Sequence, residues 1–411
     1  MSDAEKAAPR SVATLLDDLE RPRDFTVCVG GEAVVCPSEG QPSRFTLVFA
    51  SADAAARVLS MRDSLSLAVA YVDGLFDLEG DAEAAVGLSE RLAVSLGEGA
   101  APWLAAPGLG TELTGEPGTV ERAREAVNYH YDLPYEFWRS WLDPTMLYTC
   151  AYYDSPDDAL ETASVRKMDH VCRKLLLQPG DRLLDLGCGW GSLSVHAAVR
   201  YGADVLGVTL SEHQAEVVRR RAREAGVSER CRVEVMDFRA LERVEAFDKV
   251  ATLGIVEHVG KDLQPRFFET IAGVLRPGGL CLNQGIVRPP RAVDRGGHAF
   301  IQRFIFPDAS LSSIGTMLAN AEGAGLEVHD VESLSSHYVL TLRAWLRRLE
   351  EGAESVKRTT SEGHYRAFRL YLAGFAFEFR EGDLQVYQTL LRRRGRAPAL
   401  PLTRAHLYAR D

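Results

Sequence analysis

A glycine-rich segment, Asp185-Leu-Gly187-Cys-Gly189-Trp-Gly191, has the residue types of a turn that binds a small molecule through its backbone. Glycine has no Cβ, so the backbone can approach a ligand closely, and a helix that begins here offers free N–H donors to a carboxylate. Asp237 ends a later apolar run, where its carboxylate can accept from a purine amino group. These residues predict a site for a nucleotide-like molecule that carries a carboxylate.

The spacing of the glycines separates two classes of ligand. The pattern is GxGxG, whereas dinucleotides are bound by GxGxxG, and the segment lacks the lysine of phosphate-binding loops. Thr209-Leu210-Ser211 ends a second apolar run without an acidic residue for a ribose diol, so we assign that contact to the Gln214 amide. This combination favours S-adenosylmethionine as the cofactor. A structural tight turn in another kind of α/β enzyme is the alternative.

Strands alternating with helices after about residue 160 must hold these residues in place, and this order is typical of parallel βαβ units. The predicted strands are 182–186, 205–210, 232–236, 249–255 and 280–287, with helices over 212–225 and 265–275. A turn at Pro277-Gly278-Gly279 precedes the fifth strand. We therefore predict an α/β fold with an open, doubly wound, Rossmann-like sheet whose ligand lies beyond the carboxyl ends of the strands.

The first hundred residues differ from the rest of the chain in pattern. Short β-rich runs at 25–29, 33–36 and 45–50 predict a small antiparallel sheet, and apolar residues at helical spacing over 65–76 predict a helix. Segment 97–118 is rich in Gly, Pro and Ala, which is typical of a linker. We therefore predict a smaller α+β domain over 1–115 and a catalytic domain over 116–411.

The composition excludes other classes of protein. A chain of 411 residues that is 46% hydrophobic and carries a net charge of −11 indicates a globular protein that does not bind nucleic acid. Neither a signal peptide nor a run of about 18 apolar residues is present. Seven cysteines without a CxxC spacing predict neither a disulfide framework nor a metal site. We expect a cytoplasmic protein whose contact with lipid is peripheral.

Five motifs occur in a fixed order: Tyr148-Thr-Cys150-Ala-Tyr-Tyr153, Leu184-Asp-Leu-Gly-Cys-Gly-Trp-Gly191, Val208-Thr-Leu-Ser-Glu-His-Gln214, Glu257-His-Val-Gly260 and Ile301-Gln-Arg-Phe-Ile-Phe-Pro307. Together they resemble the cyclopropane-fatty-acyl-phospholipid synthase family over about residues 120–395, and the segment from Ala70 to Asp81 is similar to the N-terminal domain of bacterial members. The resemblance implies a class I methyltransferase fold. Such enzymes transfer the S-adenosylmethionine methyl group to a cis double bond of a phospholipid acyl chain, and a bound bicarbonate removes a proton as the ring closes.

The resemblance also implies roles for individual residues. The cofactor site would be lined by Tyr148, Thr149, Asp185, Gly187, Gly189, Thr209, Leu210, Gln214, Asp237 and Phe238. Bicarbonate would be held by the backbone at Cys150 and Ile286 and by the side chains of Glu257 and Tyr338. Two anions need a bridging proton, so we infer that Glu257 accepts the hydrogen of bicarbonate. The N-terminal domain would associate with lipid at the inner face of the membrane, and the relatives suggest a homodimer.

One position departs from the family pattern. Gln284 stands where the usual bicarbonate-binding histidine falls. An amide donates a hydrogen bond but cannot become cationic or shuttle a proton. If the proton is lost from a neighbouring carbon, the product is a methylene or, with a reductase, a methyl branch, although we favour the ring. Two further alternatives are methylation of a small amine and a lipid-binding protein with a degenerate active site.

Overall fold

The computed structural model describes residues 23–61, 64–96, 113–241, 246–292, 297–396 and 399–408, so most of the predicted linker lies outside the described residues. Contacts divide the described residues into two compact units. One takes the chain up to residue 96 together with 297–305 and 360–377, and the other takes the remainder. Both later segments of the first unit come from the range that we assigned to the catalytic domain.

The first unit contains a four-stranded sheet in the order β2-β1-β3-β4. Its strands are β1 (Phe25–Val29), β2 (Glu32–Val35), β3 (Phe45–Phe49) and β4 (Asp77–Gly80). The Gly30-Gly31 turn, with φ of 60° and 88°, makes β1 and β2 antiparallel. The predicted antiparallel sheet is wrong for β1 and β3, which are parallel, because the chain returns after β2 and pairs with the other edge of β1.

The helices of the first unit are Ala52–Leu59, Ser64–Val72, Ala82–Leu96, Gly297–Phe304 and residues 362–377 of the helix Glu362–Glu381. Arg369 is buried and connects its helix, Glu362–Glu381, to β4 through hydrogen bonds. Its guanidinium donates to the carbonyl oxygens of Leu78 at 2.7 Å and Gly80 at 2.8 Å, and to Tyr71 Oη at 3.0 Å. These hydrogen bonds hold the segment that resembles the family's N-terminal domain.

The second unit contains a seven-stranded sheet in the order β10-β11-β9-β8-β5-β6-β7. Its strands are β5 (Arg182–Leu186), β6 (Asp204–Thr209), β7 (Cys231–Val235), β8 (Phe247–Leu253), β9 (Leu275–Val287), β10 (Leu326–Ser333) and β11 (Gln385–Arg393). Strands β5 to β9 are parallel, and β11 is antiparallel to both of its neighbours. The α/β prediction of a doubly wound sheet is confirmed, with the reversal of strand order between β5 and β8.

The helices of the second unit are Val120–Tyr131, Tyr135–Arg139, Leu160–Lys174, Ser192–Tyr201, Glu212–Glu224, Gln264–Val274, Ile314–Gly323, Ser335–Glu351, Ala353–Thr359 and Ala405–Tyr408, with single 3-10 turns at Phe238–Ala240, Val256–His258 and Lys261–Leu263. Leu183 and Leu184 point to opposite faces of β5 and lie in separate apolar cores. Helices therefore cover both faces of the sheet. No helix in the described ranges has the length and hydrophobicity needed to cross a bilayer.

The Pro277-Gly278-Gly279 segment lies within β9, so the prediction of a turn before the strand is wrong. Phe247 pairs with Leu275, whereas Lys249 pairs with Leu280. The extra residues form an irregular bulge, in which Gly278 has a φ of 80°. The strand thus begins five residues earlier than the sequence pattern indicated.

Candidate active site

The parallel strands bring the candidate residues to one edge of the sheet. Asp185 lies in β5, Thr209 ends β6, Asp237 follows β7, Glu257 follows β8, and Gln284 and Ile286 lie in β9. The carboxyl ends of parallel strands form the ligand-binding edge of such sheets. Asp185, Thr209 and Asp237 therefore lie on the β5-β6-β7 side, and Glu257, Gln284 and Ile286 lie on the β8-β9 side. The other assigned residues include Tyr148, Thr149, Cys150 and Tyr338, which come from segments outside these strands.

The turn after β5 contains three glycines with positive φ, namely Gly187 (81°), Gly189 (51°) and Gly191 (79°). A Cβ added to Gly187 would lie 2.1 Å from Ile255 Cδ1, so this glycine is needed for packing. A Cβ added to Gly189 meets no described atom within 4 Å. The Gly189 face of the turn is therefore open, directly before the helix Ser192–Tyr201.

A buried side-chain pair lies at the end of β6. Thr209 Oγ1 donates to Gln214 Oε1 at 2.7 Å, and Ser211 Oγ accepts from the backbone N–H of Gln214 at 3.2 Å. Gln214 Nε2 is buried and has no hydrogen-bond partner in the part of the chain that the structure describes. Because an unpaired buried donor is costly, this amide fits a ligand oxygen such as a ribose hydroxyl. The open glycine turn and the unpaired amide are both suited to S-adenosylmethionine.

Gly189→Ala tests whether the open face of the turn binds the cofactor. The methyl group has room in the protein, so the expected loss of stability is about 1 kcal/mol, the cost of a positive φ. It would occupy the space beside the backbone, so the affinity for S-adenosylhomocysteine should fall on the order of tenfold. Gly226→Ala is the control, because Gly226 (φ 71°) also has an open Cβ position among the described residues. Equal affinities of the two variants in titration calorimetry would remove Gly189 from the site.

The two acidic residues assigned to the cofactor also bond to protein groups. Asp185 is buried and accepts from Ser194 Oγ at 2.6 Å, and burial raises its pKa to about 6. Arg239 donates through Nε to Asp237 Oδ1 at 2.6 Å and through Nη2 to Asp237 Oδ2 at 2.7 Å. Arg239 was not among the residues predicted from the sequence, although an arginine two residues after Asp237 indicates a possible ion pair. Phe238 packs edge-on against Phe267, with the ring centroids 5.3 Å apart.

Glu257 is a buried carboxyl with one unused oxygen. Its Oε1 accepts from the Ile286 N–H at 2.8 Å. Its Oε2 is buried without a hydrogen-bond partner among the described residues, and burial raises the pKa of this carboxyl to about 7. The resemblance assigned the backbone at Ile286 to bicarbonate, but its N–H donates to Glu257, whereas Oε2 is placed to bind a ligand.

Gln284 bonds to protein groups on both sides of its amide. Its Nε2 donates to Thr149 Oγ1 at 2.6 Å, and its Oε1 accepts from Lys167 Nζ at 2.5 Å. Lys167 Nζ also donates to the Cys150 carbonyl oxygen at 2.6 Å. Lys167 was not among the residues predicted from the sequence. A lysine among the apolar positions of the helix Leu160–Lys174 was the available signal.

Cys150 and Tyr338 both donate to the carbonyl oxygen of Leu334. The Cys150 thiol donates to the Leu334 carbonyl oxygen at 3.6 Å, and that oxygen also accepts from the Tyr338 N–H at 3.0 Å. Burial raises the pKa of the Cys150 thiol to about 12, which excludes a thiolate nucleophile at neutral pH. The buried Tyr338 ring lies 4.8 Å from Phe379 and 6.1 Å from Trp345, measured between centroids.

Tyr148 lies in a layer of aromatic side chains. Its ring centroid is 5.0 Å from that of Trp138 and 5.3 Å from that of Trp345. We call this set the aromatic layer; it also contains His130, Tyr131, Trp141, Trp190 and Phe306. Such rings exclude water, and their faces attract positive charge. The contacts bring the candidate residues together, and their roles in binding and catalysis stay predictions.

Comparisons with known proteins identify a family and several relatives that resemble this chain. Residues 119–389 match the family model of mycolic acid cyclopropane synthetase. A probable fatty acid methyltransferase of Pseudomonas putida is 38% identical over 335 residues, which cover 79% of this chain and 81% of that protein. The cyclopropane-fatty-acyl-phospholipid synthase of Escherichia coli K12 is 33% identical over 64% of this chain and 66% of that enzyme.

A solved structure gives the same result. Mycolic acid cyclopropane synthase CmaA1, complexed with SAH and CTAB, is 33% identical with a TM-score of 0.62, and the match covers 66% of this chain and 98% of that one. The fold, the open glycine turn and the sequence matches together confirm the resemblance. The chain is therefore an S-adenosylmethionine-dependent methyltransferase, and it belongs to the cyclopropane synthase family.

Proposed function

We propose that this enzyme transfers the methyl group of S-adenosylmethionine to the cis double bond of an unsaturated phospholipid acyl chain and closes a cyclopropane ring, with a bound bicarbonate as base. One observation carries the proposal. Glu257 Oε2 is a buried, unpaired oxygen among the described residues, and the neighbouring residue His258 lies against Phe306 of the aromatic layer, with the ring centroids 5.1 Å apart. An acid–base group beside a water-excluding surface suits the formation and deprotonation of a carbocation.

The chemistry explains why both features are needed. An alkene is a poor nucleophile, so methyl transfer requires in-line approach at close range and shielding from water. When bound, S-adenosylmethionine supplies the methyl group, whose bond to sulfur breaks as a bond to one alkene carbon forms. Ring closure would form a second carbon–carbon bond, and the proton released from the former methyl carbon would go to a bicarbonate held by Glu257. The ring faces of the aromatic layer would stabilise the positive charge meanwhile.

Individual residues of this chain have distinct tasks in the proposal. Gln214 Nε2 and the open face at Gly189 would bind the cofactor. Glu257 Oε2 would accept the hydrogen of bicarbonate, and Ile286 fixes the Glu257 carboxyl by donating to Oε1. Because the pKa of Glu257 is raised to about 7, a proton can be shared between this carboxyl and the anion at neutral pH.

We also propose two alternative products and two partners, a phospholipid membrane and a second copy of the chain. Gln284 brings no imidazole to the site and bonds to Thr149 and Lys167, which favours a methylene- or methyl-branched chain as the second candidate product. Methylation of a small amine is a third candidate. The substrate would be reached by peripheral contact with a phospholipid membrane, for which we propose the N-terminal domain, and the active form would be a homodimer.

The proposal is tested with purified protein, S-adenosylmethionine, bicarbonate and vesicles of phosphatidylglycerol with cis-monounsaturated chains. We expect mass spectrometry to show acyl chains that have gained one carbon, together with an equal amount of S-adenosylhomocysteine. Vesicles with saturated chains are the control and should gain nothing. Absence of any mass gain across several unsaturated head groups would reject a lipid alkene as substrate, and equal gain on saturated lipids would indicate another methyl acceptor.

A further inference from the structure

Lys167 is a buried cation without a counter-ion in the part of the chain that the structure describes. Its side chain is 0% exposed, and Nζ donates to two neutral oxygens, those of the Cys150 carbonyl and the Gln284 side chain. No carboxylate of the described residues lies within ion-pair distance of Nζ. By contrast, Lys174 Nζ, two turns later on the same helix, is paired with Glu332 at 2.6 Å. An unpaired buried charge is costly, and a bound anion would compensate it.

Both acceptors of Lys167 belong to the candidate anion site. Gln284 Oε1 also accepts from Gln388 Nε2 at 3.2 Å, and Gln284 Nε2 donates to Thr149 Oγ1. With two donors on its oxygen, the Gln284 amide has one orientation, because its NH₂ group cannot face Lys167. The ammonium group thus lies within hydrogen-bond distance of both Cys150 and Gln284.

We propose that Lys167 supplies the positive charge that attracts the bicarbonate ion, while its two hydrogen bonds hold Cys150 and Gln284 in position. The inference rests on the proposed function, since it names the charge that would hold the proposed base. Lys167 acts through Cys150 and Gln284 and is a positioning residue. Removing it should weaken anion binding far more than cofactor binding.

The charge of Lys167 and its two hydrogen bonds respond differently to pH. Burial lowers the pKa of Lys167 to about 8; the Cys150 thiol, the Lys174 ammonium and the Glu332 carboxylate also act on it. The imidazoles of His170 and His337 interact with Lys167 electrostatically as well. The ammonium form is present below this pKa and lost above it. The neutral amine still has two N–H donors for its two acceptors. Raising the pH therefore removes the charge and leaves the hydrogen bonds.

The test measures binding of carbon-13-labelled bicarbonate by NMR in the presence of S-adenosylhomocysteine. Lys167→Met removes the charge at similar length, and Gln284→Glu keeps Lys167 but places a carboxylate beside Nζ. We expect the affinity for bicarbonate to fall on the order of tenfold in both variants, and the affinity of Lys167→Met for S-adenosylhomocysteine to stay that of wild type. Lys261→Met, which removes an exposed lysine, is the control and should bind like wild type.

The pH dependence gives a second readout. Between one unit below and one unit above the pKa of about 8, wild type should lose affinity for bicarbonate. Lys167→Met should lack this loss, and the comparison cancels the titration of Glu257, which both proteins share. If Lys167→Met does not fold, the inference is tested by the bicarbonate affinity of Gln284→Glu and by the pH dependence of the bicarbonate affinity of wild type.

Each outcome separates the inference from the function on which it rests. Wild-type affinity in Lys167→Met, or an affinity of wild type that does not change through pH 8, overturns the inference and leaves the proposed function in place. Failure of wild type to bind bicarbonate at any pH overturns the proposed base and this inference together.

Discussion

Glu257→Gln is expected to lower turnover on the order of a thousandfold, while the affinity for S-adenosylhomocysteine stays that of wild type. The glutamine has the same shape, and its carbonyl can still accept from the Ile286 N–H. Its NH₂ group would stand in place of Oε2 and can only donate, so it cannot accept the hydrogen of a bound bicarbonate. Single-turnover kinetics with a separate cofactor titration measures the two effects.

The same substitution should stabilise the protein above neutral pH. Burial raises the pKa of Glu257 from 4.5 to about 7, so ionisation costs the folded state more than the unfolded state. This cost is absent below the unfolded pKa, grows as the pH rises through the interval, and reaches roughly 3 kcal/mol above it. The Tm of Glu257→Gln should therefore exceed that of wild type by more at about pH 8 than at about pH 4.

Asp262→Asn is the matched control, because it neutralises an exposed acid five residues later in the chain. It should change neither turnover nor the pH dependence of Tm. Normal turnover in Glu257→Gln would remove this carboxyl from the mechanism. A Tm difference that is independent of pH would show that its pKa is not raised by burial.

Gly187→Ala is expected to abolish cofactor binding and to lower the free energy of unfolding by about 4 kcal/mol. Two costs add: the φ of 81° disfavours a Cβ, and the new atom would lie 2.1 Å from Ile255 Cδ1. Ile255 directly precedes the turn that holds Glu257, so relief of the clash would disturb both sides of the site. Chemical denaturation and titration of S-adenosylhomocysteine measure the two losses.

A second substitution separates the two costs. Gly187→Ala combined with Ile255→Ala removes the clashing atoms, so the double variant should be more stable than the sum of the two single effects indicates. Gly226→Ala shows the cost of a positive φ alone. If Gly187→Ala were as stable as Gly226→Ala, the contact with Ile255 would not constrain the turn.

The parallel part of the sheet could be predicted from the sequence because each of its strands is an apolar run that is next to an amphipathic helix along the chain. All five predicted runs are strands, with the expected order of elements along the chain. Pairing could not be predicted in the same way. Strand β3 pairs in parallel with β1, and β9 continues through Pro277-Gly278-Gly279, because both features depend on which strand lies alongside.

In the candidate site, too, some residues could be predicted from the sequence and others could not. Motifs located Asp185, Glu257 and Gln284, which lie in or after strands β5, β8 and β9 at the ligand-binding edge. Lys167 and Arg239 were missed because their roles come from partners that only the folded chain brings near. The amide of Gln284 contacts residues from three other parts of the chain, and no spacing in the sequence indicates that arrangement.

Fragmentation mass spectrometry of the acyl product, formed with S-adenosylmethionine whose methyl group is fully deuterated, tests alkene methylation followed by deprotonation most directly. We predict that the added carbon bridges the two former alkene carbons and retains all but one of its deuterons, since one is lost to the base. A product that keeps every deuteron, or that carries the label on its head group, would contradict ring formation at this site.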